Sequence, residues 1–296
     1  MVVVPRTITF TSTRKSDSIY FSAVPLMDKR IPDWQTNEQD TIVGFVNDIA
    51  EEIQEYLNNF YDIYAKRIFN LDKHRLEIKK EYVAKAGLWI TKKRYAQWII
   101  SDNDVPVDKL DVKGLDVIRS SYPTLFRSFM KEVLLDILRG STEDQLTEKI
   151  QQFKQNLSKQ EAKDISKNSA VKDLKKYSPD GMGLFRFQKG TPAHVKAAIA
   201  YNQLLKHYKL ERKYEPIKNG DKIKWAYLVE NPFGLDALGF TAYKDPKEIM
   251  DIIYKYIDYN KIFERELSSK LQAFYTAIGW GDVMSAKKSA SKFFEF

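Results

Sequence analysis

The sequence predicts an α+β protein, with strands and one long helix in residues 1–120 and mainly helices in residues 121–285. Two patterns support this prediction. Short stretches alternate apolar and polar residues, which is typical of strands, and longer stretches place apolar residues at three- and four-residue steps, which is typical of helices. No linker rich in Gly, Ser or Pro separates the two portions, and residues 286–296 form a tail that is first basic and then aromatic.

The first portion is predicted to contain strands on either side of the long helix. Residues 8–21 have the pattern of extended chain, with a polar hairpin tip at residues 15–18. Residues 39–66 are predicted to be an amphipathic helix, because their apolar residues fall on one face. These residues are Ile42, Val46, Ile49, Ile53, Tyr56, Phe60 and Tyr64. We expect strands at 88–90, 95–100 and 112–117, and a turn at 102–104.

The second portion is predicted mainly from helix boundaries. Pro123 suits the start of a helix, because the missing N–H of proline has no partner there, and Gly140 suits its end. Ser141 is the expected cap of the next helix. Asn219 and Gly220 tolerate positive φ and therefore predict a hairpin with a returning strand at 222–229. Loops or short helices are expected at 159–180, and longer helices at 191–208, from 245 onwards and at 260–278.

The composition excludes several kinds of chemistry and indicates a polyanionic partner. The chain has 296 residues and no cysteine, which excludes disulfides, thiolate metal sites and cysteine nucleophiles. The three histidines, His74, His194 and His207, include no pair at metal-ligand spacing. No apolar run approaches the ~20 residues that span a bilayer, and the first residues do not resemble a secretory signal, so no membrane is expected as a partner. A formal charge of +8 favours a polyanion.

Asp17 is the first candidate for chemistry. Ser16 and Ser18 flank it at the predicted hairpin tip, where its carboxylate could contact a divalent cation. Magnesium prefers a few carboxylates together with substrate phosphates, so one aspartate alone does not make such a site. The alternative is a turn aspartate that hydrogen-bonds to its own backbone.

Lys92, Lys93, Arg94 and Tyr95 form the second candidate, a cluster of three cations and one aromatic residue at a strand start. Such a cluster suits a nucleic-acid backbone, because each neutralised phosphate releases counterions. In a strand, Lys92 and Arg94 would point to one side and Lys93 and Tyr95 to the other. The alternative is a solvated sheet edge that lysines protect from pairing.

A third candidate comprises Lys113, Gly114, Arg119, Ser120 and Ser121. Glycine at position 114 permits a close approach of backbone. The last three residues precede a predicted helix start, where backbone N–H groups and the helix dipole favour phosphate. The alternative is a joint between strand and helix in which Ser121 is the cap.

The fourth candidate is the C-terminal aromatic cluster of Phe293, Phe294 and Phe296. Exposed aromatic clusters usually bind a pocket. That pocket is expected either on this protein or on a partner.

Taken in order, these segments resemble the family B DNA polymerases, in particular those of the T-even phage type. Residues 16–20 (SDSIY) resemble the end of polymerase motif C, YGDTDSIY, and residues 92–96 (KKRYA) resemble the KKRY motif. Residues 114–123 resemble the segment that follows KKRY. The stretches 191–202 and 231–234 are similar to the thumb, and the Phe-rich end is similar to the tail that binds the sliding clamp.

The resemblance implies a partial polymerase palm followed by a mainly helical thumb. Residues 16–120 would be the C-terminal part of the palm, 121–285 the thumb and 286–296 the clamp-binding tail, after a divergent segment at 1–15. The implied partners are primer–template DNA, an N-terminal polymerase polypeptide and a sliding clamp. The implied location is the cytoplasm of an infected bacterial host.

The resemblance also implies roles for the candidate residues. Asp17 would bind the two catalytic magnesium ions, and Lys93 would tune their coordination. Primer–template DNA would contact Lys92, Lys93, Arg94, Tyr95, Lys113, Gly114, Arg119, Ser120 and Ser121. The clamp would contact Phe293, Phe294 and Phe296.

Two departures from the family pattern limit the expected activity. Lys15 stands where motif C has its first aspartate, and a cation there opposes metal binding. The chain also lacks the exonuclease, the motif A aspartate and the fingers lysine, although two-metal catalysis needs carboxylates from both palm motifs. We therefore expect polymerase activity only together with an N-terminal polypeptide. The alternative is an inactive module that binds duplex DNA and the clamp, or a truncated gene remnant.

Overall fold

The computed structural model of the protein describes residues 20–76, 79–178 and 183–283. Within these ranges the fold is α+β, as the sequence predicts, and it contains two three-stranded sheets. The chain divides into two compact units. Unit 1 comprises residues 1–88 and 96–111, and unit 2 comprises residues 89–95 and 112–296. The assignment of palm, thumb and tail to particular residue ranges stays a prediction.

One long helix dominates unit 1. A short helix α1, Val24–Arg30, and a 3₁₀ turn, Trp34–Thr36, precede α2, Gln39–Phe69. The 31 residues of α2 give it a length of about 46 Å. This confirms the helix predicted over residues 39–66. Asn70 ends α2 in the left-handed conformation, with its N–H bonded to carbonyl groups of the last turn.

Three strands follow α2 and form a sheet in the order β1-β2-β3. They are β1, Tyr82–Thr91, β2, Arg94–Asp102, and β3, Val105–Lys113. The strands predicted at 88–90 and 95–100 and the turn at 102–104 are confirmed. The strand predicted at 112–117 is wrong, because β3 ends at Lys113 and Gly114 has a φ of +67°. That left-handed conformation turns the chain into a 3₁₀ turn, Asp116–Ile118.

Unit 2 contains most of the helices. They are α3, Thr124–Leu138, α4, Glu143–Asn156, α5, Ala162–Ile165, α6, Leu174–Tyr177, α7, Ala193–His207, α8, Lys247–Tyr256, α9, Tyr259–Phe263, and α10, Ser269–Ile278. A π-helical turn, Glu264–Ser268, joins α9 to α10, which confirms continuous helical chain over 260–278. The predicted cap Ser141 is wrong by one residue, because Thr142 caps α4 in a reciprocal capping box with Gln145.

The second sheet joins distant parts of unit 2. It consists of β4, Lys167–Ala170, β5, Lys222–Tyr227, and β6, Ala237–Phe240, in the antiparallel order β4-β5-β6. The hairpin predicted at Asn219 and Gly220 is wrong. The turn does lead into β5, but β5 pairs with β4 and β6, and no strand directly precedes the turn.

Small side chains allow α7 to pack closely on the second sheet. Ala197, Ala198 and Ala200 are fully buried. Gly239 in β6 lies so close to α7 that a Cβ there would be 3.1 Å from the carbonyl oxygen of Ala197. Within the described ranges, no helix has the length and apolar character needed to cross a bilayer.

Candidate nucleic-acid interface

The turn between β1 and β2 carries the KKRY residues. Lys92 and Lys93 form the turn itself and are exposed, whereas Arg94 and Tyr95 begin β2 and are half-buried. Lys93 has a φ of 64°. The predicted strand-like alternation of these four side chains is therefore wrong, because the first two residues reverse the chain. The tip of the turn presents two adjacent ammonium groups to solvent.

The segment after β3 lies directly against this turn. A Cβ at Gly114 would overlap with the carbonyl oxygen of Lys93 and would lie 3.3 Å from Cγ of Arg94. The close backbone approach expected at Gly114 is therefore present, and its partner is Lys93 of the same chain. Two of the candidate groups, separate in the sequence, thus form one surface of unit 2.

Asp116 pairs with two of the cations on this surface. Its Oδ1 lies 3.0 Å from Nη1 of Arg119, and its Oδ2 lies 3.9 Å from Nη2 of Arg94. The Asp116 side chain is only 11% exposed, whereas those of Arg94 and Arg119 are 41% and 61% exposed. The carboxylate can therefore orient both guanidinium groups while they stay accessible. Sequence reasoning missed Asp116, although its three-residue spacing from Arg119 was an available signal.

Ser120 and Ser121 connect this surface to the second sheet. The side-chain amide of Asn168 donates to the Ser120 carbonyl at 3.5 Å, and the Asn168 backbone N–H donates to the Ser121 carbonyl at 3.3 Å. The alternative role of Ser121 as helix cap is wrong. Pro123 occupies the cap position of α3, without a side-chain cap bond.

A cleft of about 230 Å³ lies between this surface and α10. Arg94, Asp116, Ser269 and Lys270 supply its polar groups, and its apolar lining is Leu115, Met130, Ala273 and Phe274. The ammonium group of Lys270 is 6.0 Å from the ring of Tyr122. Arg94 and Lys270 thus bring two cations to one opening, which suits an anion such as phosphate. Sequence reasoning missed Lys270 because it belongs to a distant helix.

A buried carboxylate supports the start of α3. Glu266, in the π turn, is 2% exposed and lies 3.0 Å from Nζ of Lys167. It also accepts a hydrogen bond from the hydroxyl group of Tyr122. Burial, together with the negative charges of Glu266 and Asp116, raises the pKa of Tyr122. The phenol therefore keeps its proton and remains a donor, so that Glu266 links α3 to β4.

Several predicted site residues lie outside the described ranges. These residues are Asp17, Phe293, Phe294 and Phe296. Within the described ranges, no three His, Asp or Glu side chains come together as possible ligands of a metal ion.

Sequence comparison assigns the chain to a family. The family model described as DNA polymerase family B matches residues 42–277, which include both sheets and all of α2 except its first three residues. A comparison with curated proteins gives no match. Because the matched range covers most of the sequence, the chain belongs to DNA polymerase family B. This confirms the family that the motifs indicate, and it places the KKRY turn, Gly114 and Asp116 inside the matched range.

Proposed function

We propose that this chain is the C-terminal palm and thumb part of a replicative DNA polymerase of the T-even phage type. In this proposal it binds primer–template DNA and acts together with an N-terminal polypeptide. The supporting observation is the convergence of two family motifs on one surface. There Lys93 lies against Gly114, and Asp116 pairs with Arg94 and Arg119.

The surface suits binding to DNA of any sequence. Lys92 and Lys93 project from a turn whose backbone is fixed by Gly114, and Asp116 orients Arg94. Cations that contact phosphates fix the position of a duplex without reading its bases. A replicative polymerase needs this property, because it must bind every sequence that it copies.

Asp17 would supply one carboxylate to a metal site completed by the N-terminal polypeptide. Catalysis with two metal ions needs carboxylates from both palm motifs, so the motif A aspartate would come from that polypeptide. The same polypeptide would carry the exonuclease and the fingers. The tail residues Phe293, Phe294 and Phe296 would bind a sliding clamp.

Primer extension tests the proposal directly. The chain is mixed with the family B polypeptide of the same genome that carries the exonuclease, motif A and the fingers. We expect extension by the mixture and by neither polypeptide alone. Asp17→Ala should abolish it, whereas Asp40→Ala, on the exposed first turn of α2, should not. A mixture without activity, or full activity of Asp17→Ala, would contradict the proposal.

Lys15 favours a second candidate function, an inactive module that binds duplex DNA and the clamp. Its ammonium group, two residues from Asp17, would repel a metal ion. The substitution Lys15→Asp distinguishes the two functions. It should raise the activity of the mixture if the chain is a polymerase part, and it should have no effect on primer extension if the chain is an inactive module.

A further inference from the structure

The cleft between the KKRY turn and α10 carries hydrogen-bond donors that the proposed function does not use. Arg94 and Lys270 line this cleft, and Nζ of Lys270 donates to Oγ of Ser269 at 3.2 Å. Because that oxygen accepts from Lys270, the hydroxyl proton of Ser269 can donate to a ligand. One guanidinium, one ammonium and one hydroxyl group, from two segments of unit 2 that are distant in the sequence, therefore meet at one place.

The charges around the cleft favour an anion. Asp116 is the carboxylate of its lining, and it already pairs with Arg94 and Arg119. Together with Lys270, these side chains are three cations and one anion, which leaves a net charge of +2. Charge-assisted hydrogen bonds from guanidinium and ammonium groups are typical contacts of a phosphate.

Arg94 has a donor that the protein does not satisfy. Its Nε is buried and has no hydrogen-bond partner among the described residues. Buried polar atoms of native proteins are nearly always paired, so an orphaned donor indicates a group that binds there. Because Arg94 lines the cleft, an oxygen atom of a bound anion is the acceptor that the cleft could supply.

Lys270 is held at the cleft by its neighbours. Its ammonium group lies 6.0 Å from the centre of the Tyr122 ring, a distance at which the ring attracts a cation. Tyr122 itself donates its hydroxyl hydrogen to Glu266, which is 2% exposed. A cation held in this way loses little conformational freedom when a phosphate binds.

The size and position of the cleft favour a phosphate of a polymer over a separate small molecule. Its volume is about 230 Å³, whereas pockets for drug-sized ligands have about 300–1,000 Å³. Lys92 is two positions before Arg94, so at most about 7 Å of chain separates the tip of the turn from the cleft. A DNA strand has one phosphate per ~3.4 Å of its axis, so a strand on the turn has further phosphates within that distance.

We propose that this cleft binds one backbone phosphate of the DNA strand that contacts the KKRY turn, with Lys270 and Ser269 as its contacts from α10. The inference rests on the DNA-binding part of the proposed function and adds a second segment to the interface. Arg94 would donate to one phosphate oxygen, and Lys270 and Ser269 would donate to another. The phosphate would join α10 to the turn.

Lysine acetylation tests the contact in the unchanged chain. Mass spectrometry measures the acetylation rate of each lysine with and without a primer–template duplex. With the duplex at about ten times its Kd, the rate at Lys270 should fall about tenfold, and the rate at Lys261 should not change. Lys261 is the internal control, because it is also half-buried and its ammonium group is 5.0 Å from the ring of Tyr227. Equal protection of the two lysines, or no protection of Lys270, would overturn the inference.

Inorganic phosphate distinguishes a DNA phosphate from an anion in solution. It replaces the duplex in the acetylation experiment at the same ionic strength. Protection of Lys270 by the duplex supports the inference whether or not inorganic phosphate also protects, because the two ligands share the same chemistry. Protection by inorganic phosphate but not by the duplex would assign the cleft to an anion in solution and would overturn the inference.

Substitution of Lys270 provides a second readout. Lys270→Met removes the charge, keeps an unbranched side chain and should lower the slope of log K against log salt by about 0.9, the contribution of one phosphate contact. Lys261→Met removes the same charge and should leave the slope unchanged, and Lys270→Arg should keep it. Ser269→Ala removes a hydrogen bond but no charge, so it should lower the affinity and leave the slope unchanged. Equal slopes for Lys270→Met and the unchanged chain would overturn the inference.

The inference and the proposed function fail in different ways. If the mixture with the N-terminal polypeptide extends primers but the duplex leaves Lys270 unprotected, only the inference is wrong. If the duplex protects Lys270 but no mixture extends primers, the polymerase proposal is wrong and the contact stands. A chain that binds no duplex at low salt would contradict both.

Discussion

Gly114 lies against the carbonyl oxygen of Lys93, with no room for a side chain between them. Both residues have left-handed backbone, with φ of 67° and 64°. The exit of β3 and the turn between β1 and β2 are therefore fixed to each other at one point. The exposed ammonium groups at this turn project from a fixed backbone, which reduces the entropy that they lose on binding a phosphate.

We expect Gly114→Ala to lower both stability and DNA affinity. A side chain in the left-handed region costs about 1–2 kcal/mol. The overlap of the new Cβ with the Lys93 carbonyl should add about 1–3 kcal/mol, as other over-packed sites do. Urea unfolding measures the loss of stability, and fluorescence anisotropy with a primer–template duplex measures the affinity.

Gly234→Ala is the matched control for this overlap. Gly234 has a φ of 63°, and a Cβ there would meet no atom within 4 Å. The Gly234→Ala variant should therefore lose only the stability that a side chain in the left-handed region costs, without the further loss from an overlap. Equal losses in the two variants would show that the contact with Lys93 does not constrain the turn.

The double variant Lys92→Ala, Lys93→Ala should bind duplex DNA with a weaker salt dependence. Each phosphate contact contributes about 0.9 to the slope of log K against log salt, so the loss of two contacts lowers the slope by about 2. Lys29→Ala with Lys255→Ala removes two exposed lysines elsewhere and changes the net charge equally. If both double variants change the slope by the same amount, net charge and not this turn determines binding.

Glu266→Gln should destabilise unit 2 by about 2 kcal/mol. The substitution keeps the shape of the side chain, but it leaves Lys167 without the opposite charge in a partly buried place, which costs more than the loss of a surface pair. Glu161→Gln is the control, because Glu161 pairs with Lys163 at 2.7 Å while both side chains are more than half exposed. That substitution should cost less than about 1 kcal/mol. Equal losses in urea unfolding would mean that the burial of Glu266 is unimportant.

His194 should make the folded state less stable in mild acid. Burial, and then the positive charge of Lys167, lowers the pKa of His194 below its ordinary value of 6.5. The unfolded chain therefore binds a proton more readily, and the free energy of unfolding falls as pH decreases through 6.5 towards the lower folded value. His194→Gln should remove this part of the pH dependence between pH 7.5 and 5.5. A variant with an unchanged pH profile would exclude His194 as its source.

The long helices could be predicted because each carries its own apolar period. Such periodicity predicted α2 and α3 closely, and with them the fold class. The strand β4 could not be predicted in this way. It is the four-residue sequence KNSA, which has no alternation, and it forms because β5 supplies its hydrogen-bond partners from far along the chain.

The sequence predicted which segments contribute to the candidate site, but it did not predict how those segments contact each other. Basic and aromatic clustering identified residues 92–95 as a candidate, although as the start of a strand and not as a turn, and the glycine at 114 predicted a close approach of backbone. The partners Asp116, Glu266 and Lys270 were missed, because their roles depend on tertiary contacts that local composition does not reveal. Acidic residues in particular do not indicate a DNA-binding surface until their pairing with arginine or tyrosine is known.

The pairing of β4 with β5 has a consequence for synthesis of the protein on the ribosome. Ala170 and Lys222 are opposite each other, 52 positions apart in the chain. At a translation rate of about 5–20 residues per second, β4 is synthesised roughly 3–10 seconds before β5, the strand with which it pairs. A ribosome stalled before codon 222 would carry a nascent chain in which β4 has no partner strand, because β5 and β6 have not yet been synthesised. The second sheet could not form in that chain, even if the earlier helices had folded.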